Sequence, residues 1–139
     1  MNSSPHSHLV LLVCFAGADN ILRFPSESRE FPGLHLTVAP ETPLEEQVRK
    51  HIEARCSIQL SPNGWNLDPQ FAEELDCKGS PVLLRLVTLP SYAGTLPSGL
   101  CTFPQLLKSM NKDRSRLPYL KAWQYLAGAH LGELQAVEI

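Results

Sequence analysis

Between Glu41 and Glu53 the acids Glu41, Glu45, Glu46 and Glu53 are interleaved with Arg49 and Lys50. Clustered carboxylates suit the binding of a hard dication such as Mg²⁺. Such a cation wants several oxygen ligands, so a lone carboxylate gives it little charge neutralisation or geometry. Glu46 precedes Lys50 by four residues and Glu53 by seven, which places all three on one face of a helix. From there Glu46 is positioned to lend an oxygen beside Glu53. A plainer account uses the same residues. Glu45 with Arg49, Glu46 with Lys50, and Arg49 with Glu53 are i,i+4 pairs, each worth only about 0.3–0.5 kcal/mol on a solvated helix. His51 lies inside the same helix, whose spacing explains it without catalysis.

Elsewhere the chemical signals are sparse. No nucleophile elbow, phosphate-binding loop or dinucleotide fingerprint occurs, and no Ser, His and Asp set has local support. Glu73, Glu74 and Asp76 form an acidic patch in a stretch read as loop, a second source of oxygens if it folds back. Lys108, Lys112, Arg114, Arg116 and Lys121 form a basic cluster offset only by Asp113. It fits a solvated connector or a surface for phosphate or an acidic partner. Of the aromatic residues, Tyr92 lies in a Gly/Pro-rich loop and is placed to stack on a ligand; Trp65, Trp123 and Tyr125 read as packing residues. Cys14, Cys56, Cys77 and Cys101 are more than twenty residues apart with no C-x-x-C pair. That spacing argues against zinc; it leaves two disulfides open, and free thiols in a reducing, cytoplasmic setting fit better. His6 and His8 read as part of a polar leader over residues 1–8.

The elements that must position these groups follow from apolar periodicity. Leu9–Phe15 reads as a buried strand, turning through Gly17-Ala18-Asp19-Asn20 into a second strand at Ile21–Phe24. Leu34–Val38 alternates as a strand does. A helix then starts with Thr42 as N-cap, Pro43 at its first position and Glu45 completing a capping box. Leu44, Val48 and Ile52 recur on its inner face. Ile58–Leu60 reads as a short strand, Ser61–Gly64 as a turn and 65–80 as polar connection. Val82–Leu89 is apolar enough to lie mid-sheet, and 90–97 is loop. Phe103–Met110, capped by Thr102, is a short helix; 111–116 is a charged connector; Leu117–Ala129 is a last helix.

With these elements in order, the segment Gly33–Leu60 resembles the Nudix box. Phe31-Pro32-Gly33 is similar to the Pro-Gly that ends the family's strand. Glu41 stands eight residues before Arg49, as the family's Glu stands before its Arg. Glu41-Thr42-Pro43 resembles the opening of the family's helix, and Glu53 matches the first acid of its Glu-Glu pair. The departures are equally specific. Lys50 stands where the family has Glu, Ala54 replaces the second Glu of the pair, and Cys56 and Ser57 replace Gly and an aliphatic residue. The interval from Gly33 to Glu41 is two residues longer than the signature's. The resemblance implies an α/β (α+β) fold with a mixed sheet sandwiched between helices. It implies Glu53 and Arg49 as vestiges of a catalytic set, and Glu41, Glu46 and Tyr92 as ligand-binding candidates. Two functions follow from it. One is a noncatalytic nucleotide-, RNA- or protein-binding module that needs no cofactor. The alternative is a divergent hydrolase of a nucleoside diphosphate derivative, with Mg²⁺ on Glu53 and Glu46.

Composition narrows this further. The 139 residues carry twelve Lys plus Arg against fourteen Asp plus Glu, a net −2 that weighs against a general nucleic-acid binder. Residues 9–139 are expected to form a single domain. The longest apolar run, Leu9–Ala18, is short of the roughly 20 residues that cross a bilayer, and no Lys or Arg precedes it as a signal peptide requires. No membrane role is expected. Twelve prolines against eight glycines rule out a long helical bundle and predict short elements joined by stiff turns.

Overall fold

The computed structural model describes residues 8–16, 21–26, 31–77, 80–89, 96–110 and 113–128. Nine elements follow one another: β1 (His8–Ala16), β2 (Leu22–Phe24), β3 (Leu34–Thr37), α1 (Leu44–Cys56), β4 (Asn66–Cys77), β5 (Ser80–Leu89), β6 (Cys101–Thr102), α2 (Phe103–Ser109) and α3 (Asp113–Gly128). The strands form one six-stranded mixed sheet in the order β4-β5-β1-β2-β6, with β3 also paired to β1. β1 runs parallel to β5 from His8↔Val82 to Phe15↔Leu89. Its other edge is shared antiparallel, first by β3 and then by β2.

Period-two alternation along β1 explains the layering. Val10, Leu12 and Cys14 face a core closed by Phe103, Leu106, Met110, Tyr119, Ala122 and Leu126 of the α2–α3 layer. Leu9, Leu11, Val13 and Phe15 face a second core closed by Val48, Ile52 and Cys56 of α1. The expected mixed sheet between helices is therefore present. Trp123 stacks on Phe103 with centroids 4.3 Å apart, and Trp65 packs on the α1-side core, as packing residues. Tyr119 donates its hydroxyl to the Pro32 carbonyl oxygen at 2.7 Å, tying α3 to the chain just ahead of β3. At Gly33, φ is +130° and an added Cβ would lie 2.8 Å from both the Leu11 carbonyl oxygen and Val10 Cγ1. Only glycine fits that approach to β1.

Several expectations need correction. The stretch 65–80 is no loop: Asn66–Cys77 is β4, paired antiparallel with β5 and irregular between Leu67 and Ala72. There the Asp68 carboxylate accepts the N–H groups of Gln70 and Phe71 at 2.8 and 2.9 Å, which satisfies donors that the interrupted ladder leaves over. Ile58–Leu60 is not a strand; its geometry is set from α1, as described below. Thr42 does not cap α1. Pro43 is the N-cap and no side-chain cap bond forms there. Thr102 does cap α2, and there a capping box forms: Gln105 N–H donates to Thr102 Oγ1 and the Gln105 side chain accepts from Thr102 N–H. The charged connector is helical from Asp113, because Pro118 within α3 leaves one carbonyl unbonded without stopping the turns before it. Arg116 Nη2 donates to the Met110 carbonyl oxygen at 2.9 Å, holding that start against α2. His8 opens β1 and so is not part of a leader; residues 1–7 lie outside the described residues. No helix among the described residues is long and apolar enough to cross a membrane.

Candidate functional site

α1 carries the candidate residues on the side away from the sheet. Val48, Ile52 and Cys56 anchor its inner face. Its approach is fixed by Gln47, whose side chain accepts Ala39 N–H and donates to the carbonyl oxygens of Ala39 and Thr42, each at 2.8 Å. These three bonds hold the turn carrying Glu41 against the first turn of the helix. Sequence reasoning had no signal for Gln47, because a side chain reaching back eight residues leaves no motif.

The far end of α1 is closed around Glu53. Ser57 adopts the left-handed conformation (φ 55°, ψ 47°), and its N–H donates to the Glu53 carbonyl oxygen. The N–H of Ile58 reaches the same oxygen at 3.2 Å. The Glu53 side chain then works in both directions. Oε1 accepts from Arg49 Nη1 at 3.0 Å, and Oε2 accepts the N–H of Leu60 at 2.9 Å. The carboxylate thus clamps the segment 57–60, which holds its path without a strand partner.

A shallow, open groove lies beside this clamp, lined by Arg49, Lys50, Glu53, Ala54, Ile58, Gln59 and Leu60. It brings together Arg49, Lys50 and Glu53. Ala54, Ile58, Gln59 and Leu60 complete the lining, a placement that periodicity does not mark. Lys50 stands 3.5 Å from Glu46 Oε1, with side chains 65% and 42% exposed. Glu46 does not join Glu53 in the lining, and Glu41 is exposed in the turn ahead of α1. Tyr92 lies outside the described residues.

The second source of oxygens does not fold back onto this groove as a loop. Glu73 belongs to β4 on the same face as Phe71 and Leu75, in the α2–α3 layer, and pairs with Lys121 at 3.2 Å. Glu74 alternates to the other face. Among the described residues no three His, Cys, Asp or Glu side chains gather closely enough to hold a metal ion. The donor set beside α1 therefore does not fit a hard dication: one carboxylate, both of its oxygens already engaged, with two cations next to it.

No protein-family model and no curated protein matches this sequence. Solved structures do. A C. elegans Ap4A hydrolase in a binary complex superimposes with a TM-score of 0.63 at 13% identity, over 87% of this chain and 98% of that one. A second structure of a C. elegans Ap4A hydrolase gives 0.60 at 14%, over 86% and 96%. The C-terminal domain of mouse MUTYH, in complex with human PCNA, gives 0.51 at 13%, over 94% and 92%. At these identities the likeness is one of fold. The chain has the Nudix fold.

Proposed function

We propose that this chain is a noncatalytic binding module on the Nudix fold, presenting a nucleotide, RNA or protein partner with the surface beside α1. The observation that carries this reading is the state of Glu53. Its two carboxylate oxygens serve Arg49 and the Leu60 N–H, so the one acid that matches the metal cluster of the box acts as a structural clamp. Lys50 and Ala54 support it from either side. Lys50 puts a positive charge where the box has an acid, a change of two charge units, and Ala54 supplies no oxygen. Under this reading the box is degenerate and requires no Mg²⁺. Cys14, Cys56 and Cys101 lie outside any disulfide, in keeping with a cytoplasmic setting.

The similar structures speak for both functions that the resemblance implied. An Ap4A hydrolase carries the enzymatic one, and a MUTYH domain with PCNA carries assembly with a protein. What supports the binding reading is α1 of this chain, where Lys50 and Ala54 stand at positions that are acids in the box. The test is phosphate release from a panel of nucleoside diphosphate derivatives with Mg²⁺ or Mn²⁺. No release above a protein-free control is expected. Metal-dependent release that Glu53→Gln abolishes, assayed well below the melting temperature of the variant, would overturn the proposal in favour of the divergent hydrolase.

A further inference from the structure

We infer that Asn63 is a site of spontaneous covalent modification, converted through attack by the Gly64 amide nitrogen into aspartate and isoaspartate. The turn over 61–64 sets the rate. Asn63-Gly64 is the one Asn-Gly pair in the sequence. Glycine is the follower that most favours this chemistry, because a nitrogen with no Cβ beside it swings onto the neighbouring side chain with least hindrance. The site is independent of whatever the α1 surface binds.

Its setting is a turn between the clamped segment 57–60 and β4. Ser61, Pro62 and Asn63 are exposed and Gly64 is half-buried, so water reaches the reacting groups. Gly64 N–H donates to the Ser61 carbonyl oxygen at 3.0 Å. With Pro62 in the second position and no positive φ at Asn63, the turn is of type I. That geometry restrains the reaction twice. The attacking nitrogen keeps its proton on Ser61, and a ψ of about 0° at Asn63 holds Gly64 N away from Cγ. Ring closure therefore waits for the turn to open. A single hydrogen bond among exposed residues sits at the low-stability end of the fold, so opening is frequent.

Once the turn is open, the Gly64 nitrogen gives up its proton and bonds to Cγ of Asn63. The bond from Cγ to the side-chain nitrogen breaks, and ammonia leaves with the proton. Water then opens the five-membered imide on either side. Cleavage of the bond at Cγ gives aspartate on an unaltered main chain. Cleavage at the main-chain carbonyl carbon gives isoaspartate, with one extra carbon in the backbone. Either product adds a negative charge to a chain whose net is already −2. Leu60 is buried in the α1-side core and Trp65 packs against it, so the extra carbon is taken up within 61–64.

The experiment incubates the full chain at pH 7.4 and 37 °C, then digests it and follows the peptides carrying Asn63 and Asn66 by mass spectrometry. Enzymatic methylation of isoaspartate distinguishes the isomer. Asn66 is the internal comparison, since it is equally exposed but followed by Leu67. Product at residue 63 is expected to accumulate at least tenfold faster than at residue 66, and faster still in urea. Pro62→Ala removes the ring that presets the turn and is expected to speed modification about two- to fivefold, in step with hydrogen exchange at the Gly64 amide. Gly64→Ala is expected to slow it at least fivefold. An added Cβ there meets Ser61 Oγ at 2.5 Å, so this variant is made together with Ser61→Ala, which alone is expected to leave the rate unchanged. Circular dichroism reports that each variant is folded.

The inference is overturned if residue 63 is modified no faster than residue 66, or if Gly64→Ala in the Ser61→Ala chain reacts as fast as Ser61→Ala alone. The controlling role of the turn is overturned if Pro62→Ala speeds exchange at Gly64 without speeding modification. None of these outcomes bears on the hydrolysis panel above.

Discussion

Replacing Glu53 by Gln tests whether the retained acid is a clamp. The amide keeps the length and volume of the side chain but offers one acceptor oxygen where two donors converge, Arg49 Nη1 at 3.0 Å and the Leu60 N–H at 2.9 Å. Whichever donor the oxygen serves, the amide NH₂ is turned toward the other. Hydrogen bonds to charged groups contribute about 1.5–3 kcal/mol, and a donor left without an acceptor costs about 1–3 kcal/mol. The Arg49 pair adds little by itself, about 0.5 kcal/mol, because its side chains are 36% and 23% exposed. The Leu60 bond dominates because Leu60 is only 9% exposed, so its amide has limited access to water. Taken together, Glu53→Gln should cost about 1.5–2 kcal/mol, dominated by the lost acceptor. At roughly 3–4 °C per kcal/mol for a chain of this size, the melting temperature should fall by about 5–8 °C. Urea unfolding followed by circular dichroism gives the free energy, with Glu46→Gln as the control. That control removes an exposed pair and should cost less than about 0.5 kcal/mol. Hydrogen exchange should show the Leu60 amide losing protection in Glu53→Gln alone. If the two variants prove equally stable, or the Leu60 amide keeps its protection, the clamp is not what holds the segment 57–60.

Three further outcomes are expected. Tyr119→Phe strands the buried Pro32 carbonyl oxygen and should cost about 1–3 kcal/mol in urea unfolding; a change below about 0.5 kcal/mol would mean that water replaces the hydroxyl. Gly33→Ala should cost about 2–4 kcal/mol or prevent folding, because the added carbon meets a backbone oxygen of β1 at 2.8 Å and the φ of +130° disfavours any side chain. Burial pushes the Cys14 thiol from 9.0 up to about 12, so a thiol reagent at pH 8 should label Cys14 only as fast as the chain unfolds. The sign of its linkage follows. Between pH 9 and 12 the unfolded chain releases a proton that the folded chain keeps, so this thiol lowers stability as pH rises. Cys14→Ala should flatten that alkaline slope, whatever it does to stability at pH 7.

Where burial imposes a period, the sequence was legible. Leu9–Phe15 and Val82–Leu89 are apolar enough to announce central strands, and Val48 and Ile52 announce the inner face of α1. β4 was missed because an edge strand needs only one buried row. Phe71 and Leu75 supply it, while Glu73, Glu74 and Pro69 give the stretch the composition of a loop. At Ile58–Leu60 the error was opposite: apolar residues suggested a ladder, but the segment is held by a side chain seven residues upstream. The candidate site divides similarly. The contact of Arg49 with Glu53 and that of Lys50 with Glu46 are local in sequence and were readable as i,i+4 pairs. The engagement of the second Glu53 oxygen by Leu60, and the hold of Gln47 on the turn at Ala39, are side-chain-to-backbone bonds that no periodicity encodes.

β1 contributes alternate side chains to two separate cores, one under α1 and one under α2 and α3. That arrangement has a consequence for how the molecule opens. α1 can lift with its loop while the opposite core stays closed, and α3 can fray without disturbing the groove, but β1 cannot leave without breaching both. Its amides are expected in the slowest-exchanging set, and the two helical layers are expected to open as distinct cooperative units joined by a common spine. Positions on the outer face of α1, such as Lys50 and Ala54, are exposed and lie outside either core. On this architecture that surface can change its residues while the scaffold beneath it bears almost none of the cost.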